Sequence, residues 1–228
     1  MNKRQDLIFW TIVALMFAPF FLSDKLFNFY LEFNQQHGLI TAFIKFSILA
    51  TLGELIGLRI KKGYYYKKGF GILPRMLVWG FLGVTIKMSF IIFVSGTPVF
   101  LEYIGIKGAT QAIQQSFSFE KLLVAFSISA ALNLIYAPVM MTFHKITDIH
   151  IITNGGTLKG LFKPIKFRKI LVDLNWDVQW NFVFKKTIPF FWIPMHTITF
   201  LLPPDFQVLF AALLGIALGI ILAVADFS

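Results

Sequence analysis

Five polar side chains stand inside long apolar runs of this sequence: Glu54, Arg75, Lys87, Asn133 and His196. A charge in hydrocarbon costs about 2.5–3.5 kcal/mol even on a lenient insertion scale, so each charged one needs a partner, water or a task. At about 1.5 Å per residue, Glu54 and Arg75 project about 9 and 6 Å from the basic ends of their segments. They are close enough in height to form a structural ion pair or to flank a path for solute. Lys87 lies about 12 Å from the far end of its segment, too deep for easy snorkelling, and is the best single candidate for a functional cation. Lys45 sits nearer the edge and is expected to snorkel. Asn133 and His196 fall near the middle of the bilayer. One hydrogen bond between helices would satisfy both; a polar layer for hydrated solute or proton sensing is the alternative.

His144, Asp148 and His150 form a second group, H-x3-D-x-H, at the inner end of the fourth apolar segment. These residue types bind metals or act as acid and base, but only the first two share a helix face, and a metal needs three or four convergent ligands. Capping at the membrane interface is the preferred reading, and no metal or cofactor is expected. Asn154-Gly155-Gly156 is a turn signal without the lysine and hydroxyl of a phosphate loop. No Ser-His-Asp order, catalytic carboxylate pair or nucleotide fingerprint occurs, so an enzyme is not the expectation. The chain has no cysteine, which removes disulfides, thiolate metal sites and thiol catalysis.

The elements that must position these residues are membrane helices. Apolar residues make up 57% of the 228 and charged ones 14%, well below the quarter or so usual in soluble domains. Mean hydropathy is +0.74. Runs long enough to cross about 30 Å of hydrocarbon recur along the chain. The expectation is an all-α polytopic bundle forming one membrane domain, with spans at 7–23, 39–60, 71–95, 122–143, 187–202 and 206–225. The first reads as a retained signal anchor, because no small-residue cleavage site follows it. The fifth is short and holds Pro189 and Pro194, as a kinked or re-entrant helix would.

The 21 Lys and Arg residues support this division: two precede the first span, six lie between Arg59 and Arg75, and eight between Lys145 and Lys186. Positive loops stay on the cytoplasmic side, so this alternation predicts six spans with both termini inside. The net charge of +10 sits beside apolar spans, which makes the lipid bilayer and its anionic headgroups the expected partners and argues against nucleic acid. The Gly96–Lys121 loop carries an apolar patch, Val99 to Ile106, suited to the outer interface. Residues 166–180 place Phe167, Ile170, Leu171 and Leu174 at helical spacing, which predicts an amphipathic helix on the inner surface, with Trp176 and Trp180 as anchors.

Gly53 with Gly57 and Gly215 with Gly219 are GxxxG pairs that let helix backbones approach. Packing within the chain is the simpler reading, and a homo-oligomer interface is the other.

From Asn175 to Leu222 the sequence resembles the Mpv-seventeen/PMP-twenty-two family of integral membrane proteins. Trp192 and Pro194, Thr199-Phe200, Leu202-Pro203 and Gln207 stand where that family has Trp-Pro, Asn-Phe, Val-Pro and a following Arg, and a last span comes after them. Gly53-Glu54 is similar to the family's Gly-Asp, and Asn133 with Pro138 to the end of its Asp-Gln-x4-Pro segment. Gln207 replaces a cation and Leu132 an acid, so charge-dependent gating does not carry over. The resemblance implies a small membrane protein with proposed channel or solute-passage activity, in the inner mitochondrial or the peroxisomal membrane of a eukaryote; in a bacterium the membrane would be the plasma membrane. Three functions stay open at this stage: a channel or transporter using the polar residues above with Pro138 and Pro194 as loosening points, a non-conducting assembly protein, and an interfacial enzyme using His144, Asp148 and His150.

Overall fold

Without water in hydrocarbon, a chain this apolar must satisfy its backbone hydrogen bonds internally, and helices do so segment by segment. A computed structural model describes residues 3–225, and every regular element among them is helical. α1 (Lys3–Leu22) leads into α2 (Asp24–Gln36), then α3 (Gly38–Lys62) and α4 (Ile72–Tyr103). Three of these, α1, α3 and α4, are long and apolar enough to cross a membrane; α6 (Phe119–Ile135) and α7 (Ala137–Thr153) make a fourth if the bent pair is one span.

α3 is the central element, packed on α4 along one face and on α12 (Pro204–Ala225) along another. Gly53 makes the second contact: a Cβ there would lie 2.7 Å from the Gly215 carbonyl oxygen and 2.8 Å from Ile216 Cα. The two GxxxG glycine sets therefore meet each other within the chain, backbone against backbone. Gly80 and Gly83 bring α4 onto the side chains of α3 in the same way.

Several expected boundaries shift. The first expected loop contains α2, started by Ser23, whose hydroxyl accepts from the Leu26 amide. α2 folds over the N-terminal ends of α3 and α12: Asn34 Nδ2 donates to the Asp205 carbonyl (3.3 Å) and Gln35 Nε2 to the Asp205 carboxylate (3.2 Å). Lys45 consequently does not snorkel. It is buried, donates to Asn34 Oδ1 at 2.6 Å, and lies over the Tyr30 ring. α4 runs to Tyr103 instead of ending near Ser95, because Gly96 and Pro98 do not break it. Much of the expected third loop is thus helix, with Leu101 and α5 (Ala109–Ala112) packed into the core.

The span expected at 122–143 is two helices meeting at 43° around Tyr136. Pro138 lacks the amide that would continue the ladder, and its ring conflicts with the carbonyl one turn back. After α7 the chain turns through Gly155 and Gly156. Gly156 holds φ +65° against the Gly69–Gly71 backbone, a conformation and a closeness that a side chain does not tolerate.

The helix expected over 166–180 is interrupted. α8 (Leu158–Leu161) is followed by α9 (Phe167–Asp173), and Asn175 then starts α10 (Trp176–Val178) by accepting from the Val178 amide at 3.1 Å. Ile170 and Leu174 are buried, and α9 packs on α7 rather than lying apart from the bundle. Trp176 and Trp180 are exposed. From Gln179 the chain enters a 14-residue π-helix, Gln179–Trp192, that runs on into α11 (Ile193–Leu201). The fifth apolar element thus begins eight residues before the expected Thr187.

Candidate functional site

Glu54, Arg75, Asn133 and His196 border one cavity of about 490 Å³, which reaches Lys61, Phe70 and Lys145 beside the basic loops. Its wall takes side chains from α3, α4, α6, α7, the π-helix, α11 and α12, and is mostly apolar.

At the mouth, Glu54 on α3 holds three donors: Arg75 Nη1, Trp79 Nε1 at 2.9 Å and His144 Nε2 at 3.1 Å. A carboxylate only accepts, so His144 carries a proton on Nε2. Arg75 also pairs with Asp148 and donates Nε to the Phe70 carbonyl at 2.8 Å. Arg75 and Trp79 are one turn apart on α4, and His144 and Asp148 one turn apart on α7, which gathers four side chains from two helices around Glu54. The pairing of Glu54 with Arg75 is legible from their heights alone, whereas the contribution of His144 and Asp148 corrects their assignment to interfacial capping. His150 faces away and meets the Leu161 carbonyl through Nε2 at 3.1 Å. No cluster of His, Cys, Asp or Glu fit for a metal occurs among the described residues.

Deeper in, Asn133 and His196 meet across α6 and α11, with Asn133 Nδ2 3.0 Å and Oδ1 3.2 Å from His196 Nδ1. Asn133 Nδ2 also donates to the Ser129 carbonyl at 2.8 Å, and Ser129 Oγ to the Ile193 carbonyl at 2.7 Å. Phe90, Trp192 and Phe200 surround the His196 ring. Pro194 starts α11, Pro203 follows it, and Gln207 reaches back to the Leu202 carbonyl at 3.1 Å. Tyr136, at the α6–α7 bend, hydrogen-bonds Thr85 of α4 through its hydroxyl at 2.7 Å.

Lys87 is not part of this site. It follows cavity-facing Ile86 on α4, so its side chain leaves by another face towards Gly38 at the start of α3. Sequence reasoning also passed over Trp79, Gln179, Thr187 and Trp192 as cavity residues. Only Trp79 carried a signal, its i+4 spacing from Arg75. A second polar contact near the basic side ties α1 to the bundle: Arg59 grips the Asp6 carboxylate at two points, both 2.7 Å, and Tyr65 donates to it at 2.9 Å.

No protein-family model, no curated protein and no solved structure matches the chain.

Proposed function

We propose that this protein is a six-span integral membrane protein with both termini on its basic side, and that the cavity is a vestibule through which small polar solutes pass. The observation that carries this reading is the cavity itself: its charged mouth faces the basic loops and its Asn133–His196 pair lies deep between the helices. Glu54, Arg75, His144 and Asp148 would guard entry, and Tyr136, at the bend before Pro138, sits where α6 and α7 can change angle.

A non-conducting assembly protein is the second reading. It is favoured by one specific observation, that the charges at the mouth pair among themselves. Solute flux into liposomes containing the purified protein separates the two. Passage requires flux that falls when the cavity is filled by Ala137→Trp in a protein that still folds. Absence of flux from folded wild-type protein would leave the assembly reading.

A further inference from the structure

The cavity wall contributed by residues 179–196 consists of Gln179, Val183, Thr187, Trp192 and His196, at successive steps of four, four, five and four residues. In an α-helix each step of four overshoots a full turn by roughly 40°, and the set would wind away from the cavity. The wider turn of a π-helix, closed by i→i+5 bonds, stacks residues at this spacing on one face. The unusual helix therefore presents a continuous stripe to the cavity.

That stripe is short of hydrogen-bond partners. Gln179 and Trp192 are more than nine-tenths buried, and neither Gln179 Nε2 nor Trp192 Nε1 has a partner. Buried N–H groups left unpaired are costly, and an oxygen acceptor would remove that cost. Among the described residues Arg75 and Lys145 are matched by Glu54 and Asp148, so the preference comes from the two unpaired N–H donors, which call for an oxygen acceptor and disfavour a cation. The largely apolar remainder disfavours a hydrated inorganic ion, whose water shell it cannot replace.

We infer that the solute is a small organic acid, a carboxylate on an apolar body, and that the π-helix stripe is its track. This rests on the reading of the cavity as a solute site. Gln179 near the mouth and Trp192 deeper in lie up to about 20 Å apart along the helix. A small acid thus meets them as successive stations, its carboxylate accepting from each while its apolar part lies on Val183, Met140 and Met141.

The test is equilibrium binding of radiolabelled hexanoate to the protein in nanodiscs, with empty nanodiscs subtracted. Saturable binding is expected, displaced by unlabelled hexanoate but not by equal concentrations of hexylammonium or inorganic phosphate. Trp192→Phe and Gln179→Leu, which remove a donor and keep most of the shape, should each weaken it about tenfold, while Lys87→Met, outside the cavity, leaves it unchanged. Failure to saturate, displacement by hexylammonium or phosphate as effective as by hexanoate, or wild-type binding in both folded variants would overturn the inference. The ligand ranking on wild-type protein decides it if the variants do not fold. Binding without flux would remove the passage reading and keep the site; flux without hexanoate binding would do the reverse.

Discussion

Two neighbouring residues of α3 show two ways of joining helices in lipid. Gly53 faces α12, where the absence of a side chain lets the backbones of Gly53 and Gly215 approach. Glu54 faces α4 and α7, where it collects Arg75, Trp79 and His144. Lipid offers no hydrophobic drive for helix association, so close approach of small residues and polar bonding are the available devices. They differ in what they leave behind. At Gly53 the contact fixes a separation with no room for a side chain. Polar side chains reach across a wider gap, and the gap they span is the cavity.

The comparison breaks most sharply at Arg75. Arg75→Met leaves Glu54 and Asp148 without their shared cation, and a loss of about 3 kcal/mol is expected in reversible unfolding from mixed micelles. Adding Glu54→Gln should restore part of that loss; a neutral single variant would mean that the cluster is solvated rather than structural. On the other side, Gly53→Ala should cost about 2 kcal/mol, since its Cβ would press on backbone that cannot swing aside. Asn133→Leu should cost about 1 kcal/mol or less, in line with single hydrogen bonds between membrane helices. Gly215→Ala is the smallest effect, within about 0.5 kcal/mol, because its Cβ would meet Ala50 Cβ at an ordinary 3.4 Å. An equal cost for Gly53→Ala and Gly215→Ala in the same unfolding assay would contradict the close approach at Gly53.

Helicity, and the placing of α1, α3 and α4, could be read from apolar runs and the charges that bound them, because hydrocarbon leaves a chain few alternatives. The height of Glu54 and Arg75 was legible for the same reason: depth follows from counting residues along a helix. Azimuth was not. Lys87 had the right depth for the cavity and the wrong face, and Lys45 could be read as snorkelling only while Asp24–Gln36 was taken for a loop. His144 and Asp148 showed their shared helix face, but not that it points at Glu54. The stripe of Gln179, Val183, Thr187 and Trp192 is not legible in the sequence because it exists only at π-helical spacing, which a period of 3.6 residues does not display. Pro138 marked the bend at Tyr136, though not its angle.

The central claim is that the cavity beside Glu54 and Met140 can be reached from the basic face, while the Ala50–Gly215 contact between α3 and α12 is closed. The absence of native cysteine allows a direct test: Met140→Cys on the cavity wall and Ala50→Cys at the α12 contact, each exposed in membranes to a charged, membrane-impermeant thiosulfonate. Only a thiol reached by water forms the reactive thiolate. The account predicts modification of Met140→Cys from the basic face, at least roughly tenfold faster than Ala50→Cys. Equal rates at the two positions, or an inert Met140→Cys in folded protein, would contradict it.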